Sequence, residues 1–204
     1  MPEQSFVLAS ANRDKALEIA AILGSVAGVT LVPRPDGVPD DEETGETLVD
    51  NARLKAVALV AATGIPAVAD DTGLEVEALD GSPGVYSARF AGEGASYADN
   101  VAMLMSELER VGAVTPDARR ARFRSVAFVA WPDGSELWVE GEVTGVITPD
   151  PRGEGGFGYD SLFAPDGFDG RTFAEMTPDE KHSVSHRGRA FRALAERLKA
   201  RDAR

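Results

Sequence analysis

The chain has 204 residues, with 34 Asp and Glu against 21 Lys and Arg, a formal net charge of -13 and no cysteine. The negative surplus disfavours a nucleic-acid polymer or an anionic membrane as partner. The missing thiols exclude a disulfide framework, a thiolate nucleophile, and zinc-thiolate or iron-sulfur centres.

At 43% hydrophobic and 27% charged residues the composition is that of a soluble globular protein with a core of its own. The N-terminus lacks a basic segment leading into a long apolar run, and no apolar stretch approaches the length of a membrane span, so a cytoplasmic location is expected.

Ser5 to Ser10 is a short apolar run that breaks at Ala11-Asn12-Arg13-Asp14, after which Ala16, Leu17, Ile19, Ala20 and Leu23 recur at helical spacing as far as Gly24. Gly28 to Val32 predicts a second strand, and the proline-rich acidic stretch from Pro33 to Glu43 predicts an exposed loop. A helix is expected from near Glu46 to just before Gly64, followed by a buried strand over Pro66 to Ala69 that ends in a turn at Asp70-Asp71-Thr72-Gly73. Leu74 to Leu79 alternates, and Gly81 to Gly84 breaks the chain again. Tyr97 to Val111 reads as a helix with Val101, Leu104, Met105 and Leu108 on one face. Ala121 to Trp131 and Glu136 to Ile147 read as strands of a hairpin turned by Pro132-Asp133-Gly134. Loops and short elements follow the glycines of 153–158. The last helix is expected over His186 to Lys199, with Ala190, Leu194 and Leu198 inward.

This order predicts an α/β protein, a long twisted mixed sheet with flanking helices and a cleft where strand ends meet loops. No linker or repeat divides the sequence, so residues 1–204 are expected to form a single domain.

Five blocks could carry chemistry. Ser10-Ala11-Asn12-Arg13-Asp14-Lys15 sits where a strand hands over to a helix, and reads either as an N-cap with a solvated lysine or as a phosphate site. Glu42-Glu43-Thr44-Gly45 precedes Asn51 and Lys55, which lie four apart and share a helical face. Asp70-Asp71-Thr72-Gly73 is the strongest feature. Two ionised carboxylates at the end of an apolar strand need a countercharge, and their oxygens suit Mg²⁺, although an Asp-rich turn is the plain alternative. The run from Gly153 to Asp160 interleaves Phe157 and Tyr159 with glycines, giving either an aromatic face for a base or a loop with two core aromatics; it has no Walker lysine. Lys181 to Arg189 is a basic stretch in an acidic protein and holds both histidines, His182 and His186. Its donors suit base carbonyls or phosphates, and Thr177 with Glu180 just before it has the form of a capping box.

Taken together these blocks resemble the inosine triphosphate pyrophosphatase (Ham1-like) family over nearly the whole chain. The resemblance rests on Ser10-Ala11-Asn12 with Lys15 and Glu18, on Glu43-Thr44-Gly45 with Asn51 and Lys55, and on Ala69 to Leu74. Gly81-Ser82-Pro83-Gly84-Val85-Tyr86-Ser87-Ala88-Arg89, Gly155 to Asp160 and Ser185-His186-Arg187-Gly188 complete it. It implies an elongated fold of two lobes around a central cleft that holds the active site, assembled as a homodimer. It also implies hydrolysis of dITP, ITP and XTP to the monophosphate and pyrophosphate.

By the same resemblance Ser10, Ala11, Asn12, Arg13, Asp14 and Lys15 bind the triphosphate, with Lys55 also near phosphate. Glu43 and Asp71 hold Mg²⁺, and Asp71 is the base that activates water; because metal binding lowers carboxylate basicity, Asp70 or a metal-bound hydroxide is the alternative base. Thr72, Phe157, Gly158, Tyr159, Asp160, Lys181, His186 and Arg187 hold the nucleotide, the last group of these close to the base. Thr72 and Ser161 depart from the family's commoner Ser and Pro, and neither change removes a group the chemistry requires. Hypoxanthine and xanthine carry a 6-oxo group, so a donor such as Arg187 or His186 would favour them over adenine. The competing classes are a Maf-like dTTP or UTP pyrophosphatase and a nucleotide-binding module without hydrolysis.

Overall fold

The computed structural model describes residues 4–10, 12–24, 28–35, 37–38 and 44–202. Among these, the chain begins with β1 (Gln4–Leu8), α1 (Arg13–Leu23), β2 (Val29–Val32), α2 (Leu48–Thr63), β3 (Ala67–Val76) and β4 (Pro83–Gly84). It continues with α3 (Tyr97–Arg110), β5 (Arg120–Ala130), β6 (Glu136–Ile147), β7 (Phe163–Pro165), α4 (Pro178–Val184) and α5 (His186–Asp202). The strands follow the order β2-β1-β3-β5-β6-β7, with β4 paired to β3. The sheet is mixed, as expected: β1 is parallel to β2 and β3, whereas β3–β4 and β6–β7 are antiparallel.

The chain divides into two compact units, one comprising the residues up to Asp71, Ser125–Gly141 and those from His186 onward, the other Thr72–Arg124 and Glu142–Ser185. Each has its own apolar core. In the first unit Ile19, Ile22 and Leu23 of α1 pack with Phe6, Leu8 and Val68 of the strands and with Ala190, Phe191, Leu194 and Leu198 of α5. The inward face foreseen for the last helix is therefore correct. Gly141 permits this packing, because a Cβ there would lie 2.2 Å from the His186 carbonyl oxygen and 2.4 Å from the Ala190 nitrogen. α2 starts at Thr47, whose hydroxyl accepts the Asp50 N–H, and ends at Gly64, whose φ of 69° is left-handed.

In the second unit Leu104 and Leu108 of α3 are fully buried, and Val101 and Met105 pack beside them, against Leu74, Val76, Phe123, Phe163 and Phe173. Asn100 on the same helix fixes the segment after β4, accepting the Ala91 N–H at 2.8 Å and donating to the Ala88 carbonyl at 3.0 Å.

One expectation needs correction. Asp70-Asp71-Thr72-Gly73 is not a turn: β3 runs through it to Val76. An Asp pair beside glycine has the composition of a turn, but cations from distant parts of the sequence let it continue as strand. The connection before the last helix also contains α4, with Pro178 in its first turn and the Thr177–Glu180 capping box fully formed.

Candidate active site

Leu8 of β1 pairs with Val68 of β3, so Asp70 and Asp71 lie just past the carboxyl end of β1, where open parallel sheets place ligand sites. The loop from β1 into α1 leaves from the same level. Asn12 caps α1, its Oδ1 accepting the Asp14 N–H at 3.0 Å and the Lys15 N–H at 3.1 Å, while Ser10 Oγ donates to the Asn12 carbonyl at 3.2 Å. The N-cap alternative is thus realised for Asn12. The solvated alternative is not realised for Lys15, whose Nζ is 3.5 Å from Asp70 Oδ2. Arg13, the first residue of α1, is exposed, and Asp14 is half-buried.

Asp70 is 2% exposed and Asp71 3%. Ionised carboxylates buried to that degree must be compensated. Arg187, 1% exposed on the first turn of α5, directs Nε and Nη2 to Asp70 Oδ2 at 3.4 and 3.3 Å, and its Nη1 donates to Glu18 on α1. Burial pushes the Asp70 carboxyl up, but the charges of Lys15, Arg187 and Lys55, with the Arg187 hydrogen bond, outweigh it and hold the group down at about 2. His186, also buried, precedes Arg187 as the first residue of α5.

Asp71 is addressed by α2. Lys55 Nζ donates to its Oδ1 at 2.9 Å and lies 3.5 Å from the Asp70 carbonyl oxygen. Asn51, one turn earlier on the same face, donates Nδ2 to its Oδ2 at 3.4 Å. Among the described residues no three His, Cys, Asp or Glu converge as metal ligands. The all-oxygen chemistry of Asp71 nevertheless fits Mg²⁺, which binds through one or two carboxylates and completes its shell with water and phosphate. Glu43, the other expected ligand, and Ala11 lie outside the described residues.

The second unit gathers the remaining expected residues around Lys181, which is buried in α4. Its ammonium pairs with Asp160 Oδ2 and lies 4.8 Å from the centroid of the Phe157 ring. Asp160 also accepts the Phe157 N–H at 2.8 Å. Phe157 packs on Tyr97 at 5.8 Å between ring centroids. Gly158, at φ 61°, holds a left-handed turn between Phe157 and Tyr159. The Tyr159 ring belongs to the core and its hydroxyl donates to the Ser87 carbonyl at 2.9 Å, so of the two readings for this aromatic the core one is realised. Thr72 follows Asp71 on β3 and is half-buried.

Glu18 has no role of its own among the expectations from sequence, yet it holds Arg187. Its signal was position: three residues after Lys15, on the same helical face. Arg34, whose guanidinium reaches the Ala9 and Val38 carbonyls at 2.9 and 3.2 Å, was not legible because its main partner is 25 residues away.

The mixed α/β sheet thus carries paired buried carboxylates level with the carboxyl end of β1, countered by lysines from the two flanking helices. The Ham1 family model matches residues 6–197, and the chain belongs to that family. It is 49% identical over 199 residues to the dITP/XTP pyrophosphatase of Nocardia farcinica, covering 95% of this chain and 94% of that one. It is 45% identical over 202 residues to the dITP/XTP pyrophosphatase of Brucella melitensis, covering 94% and 91%. The solved structure of a HAM1 protein from Coxiella burnetii is similar at a TM-score of 0.86 and 38% identity, over 97% of this chain and 99% of that one.

Proposed function

We propose that this chain hydrolyses the non-standard purine nucleoside triphosphates dITP, ITP and XTP to the monophosphate and pyrophosphate, removing deaminated purines from the nucleotide pool. The observation that carries the reading is the buried Asp70-Asp71 pair set among Lys15, Lys55 and Arg187. Family membership and the activity named for the Nocardia and Brucella relatives support it.

Among the described residues the cluster, with Glu18, holds three carboxylates and three cations, a formal balance of zero. An incoming triphosphate adds negative charge that these six groups have no surplus to meet, which supports a divalent cation as cofactor. Asp71, with Glu43, would hold Mg²⁺, which when bound neutralises phosphate charge and polarises the phosphoryl group. Asp71 takes the proton of the water that attacks the α-phosphorus. The bond from that phosphorus to the α,β-bridging oxygen breaks, and its electron pair leaves with pyrophosphate. Asp70, held at about 2 by the cations around it, is a poor proton acceptor near neutrality.

Ser10 to Lys15 and Lys55 take the phosphates in this reading, with Lys15 and Lys55 offsetting the charge of the departing group. Thr72, Phe157, Gly158, Asp160 and Lys181 hold the nucleotide, Tyr159 fixes their loop through packing, and His186 supplies a donor for the 6-oxo group. Arg187, turned onto Asp70 and Glu18, acts through them. The proposal extends to a homodimer and to a cytoplasmic location.

The test is product analysis by ion chromatography with Mg²⁺ and, separately, dITP, XTP, dATP, dGTP and dTTP. Pyrophosphate with monophosphate from dITP and XTP alone is expected. Orthophosphate would move attack to the γ-phosphorus, preference for dTTP would indicate the Maf-like class, and binding without turnover would indicate a nucleotide sensor.

A further inference from the structure

Asn51 is wholly buried on α2, in the stripe of buried residues formed with Leu48, Ala52, Ala56 and Leu59. A buried amide in such a stripe has to be satisfied, and both ends of this one are used. Oδ1 accepts the Gly45 N–H at 2.8 Å, and Nδ2 faces Asp71 Oδ2 at 3.4 Å. The Gly45 bond fixes the orientation of the amide, because a backbone N–H can only be met by the oxygen end. The end presented to Asp71 is therefore a donor.

Gly45 is shaped to this contact. A Cβ there would stand 2.6 Å from Asn51 Oδ1 and 2.9 Å from the Asn51 nitrogen. Lys55, four residues further on, meets the other oxygen of the same carboxylate at 2.9 Å. One helix face thus presents a neutral donor to one oxygen of Asp71 and a charged donor to the other, which sets the rotation of the carboxylate about its Cβ–Cγ bond.

We infer that Asn51 is a positioning residue for Asp71: clamped by Gly45, its amide holds the Asp71 carboxylate in the orientation from which it takes the proton of the attacking water. The inference rests on the reading of Asp71 as the base. The 3.4 Å separation suits that role, since catalytic hydrogen bonds are often long without substrate and shorten in the reacting complex. Without the amide the carboxylate would stay in the site, held through its other oxygen by Lys55, while presenting its oxygen wrongly for much of the time.

The experiment compares Asn51→Ala, Gly45→Ala and Asp71→Asn with the unaltered chain, measuring kcat and KM for dITP, and the Kd for α,β-methylene-dITP, which cannot be cleaved at that bond. Asn51→Ala is expected to lower kcat about thirtyfold, with KM and the analogue Kd changed less than threefold. Gly45→Ala, which drives a methyl group into the Asn51 oxygen but leaves Asn51 in the chain, is expected to show the same split, and it decides the matter if Asn51→Ala does not fold. A kcat within threefold of the unaltered chain in a variant that binds the analogue normally would overturn the inference, as would a loss confined to KM. If Asp71→Asn itself kept turnover, the reading of Asp71 would fall first, and with it this inference. An inactive Asp71→Asn beside a fully active Asn51→Ala would remove the Asn51 inference alone.

Discussion

Lys181 and Asp160 form an ion pair in which each side chain is only 5% exposed. Removing one member of such a pair leaves a buried charge unanswered and costs about 3–5 kcal/mol. Lys181→Met is expected to lower stability by that amount in urea unfolding, and adding Asp160→Asn, which keeps an acceptor for the Phe157 N–H, should restore a large part of it. A loss of under about 1 kcal/mol in the single variant, the range of an exposed pair, would mean that water reaches Asp160.

Asp71→Asn keeps the shape of the side chain and removes its capacity to take a proton. Turnover of dITP should fall by roughly 10²–10⁴, the usual contribution of a general base, while binding of the nucleotide stays measurable by calorimetry. Near-normal turnover would assign the base elsewhere.

Gly141→Ala would force a methyl group against the His186 carbonyl oxygen and the Ala190 nitrogen, both backbone atoms of α5 that cannot turn aside. The helix must shift, and overpacking of this kind costs about 1–3 kcal/mol. Because the first turn of α5 carries Arg187, the variant should lose activity on dITP as well as thermal stability. Loss of stability with full activity would show that the site tolerates displacement of that turn.

Arg187→Ala would leave buried Asp70 and half-buried Glu18 without the guanidinium that lies between them. Since that group serves two carboxylates, kcat/KM should fall by similar factors for dITP and dATP. A loss confined to dITP would instead place the guanidinium on the 6-oxo group of the base.

Burial pushes the Tyr159 phenol above its ordinary value of 10.0. A group whose proton is held more tightly in the folded chain contributes stability that is complete below the ordinary value and is lost as pH rises beyond it. In absorbance titration at alkaline pH, one of the three tyrosines of the chain should ionise late, together with unfolding. Tyr159→Phe should abolish that late component, at a cost of about 1 kcal/mol at neutral pH for the lost bond to Ser87.

Where local chemistry decides the structure, the sequence was readable. The α2 terminus at Gly64, the α3 span from Tyr97, the turn around Gly134 and the Thr177–Glu180 box each depend on residues a few places apart. The Asp70-Asp71 segment depends instead on cations 15 to 117 residues away along the chain, and without them its composition is that of a turn. The same limit separated readable candidates from their partners. Asn51 and Lys55 could be placed on one face, but neither the carboxylate they meet nor the Gly45 contact follows from helical spacing. Spacing alone leaves Tyr159 between a stacking face and the core, because the choice turns on Ser87, 72 residues earlier.

The first core draws on α5, and so does the carboxylate cluster through Arg187, whereas the second unit is complete by Ser185. A ribosome releases these parts in order. The second unit can therefore close while the first still lacks Phe191, Leu194 and Leu198, and during that interval Asp70 has Lys15 and Lys55 for neighbours but no guanidinium. Closure of the first core and completion of its charge balance both wait for α5, which leaves the ribosome after every part of the second unit.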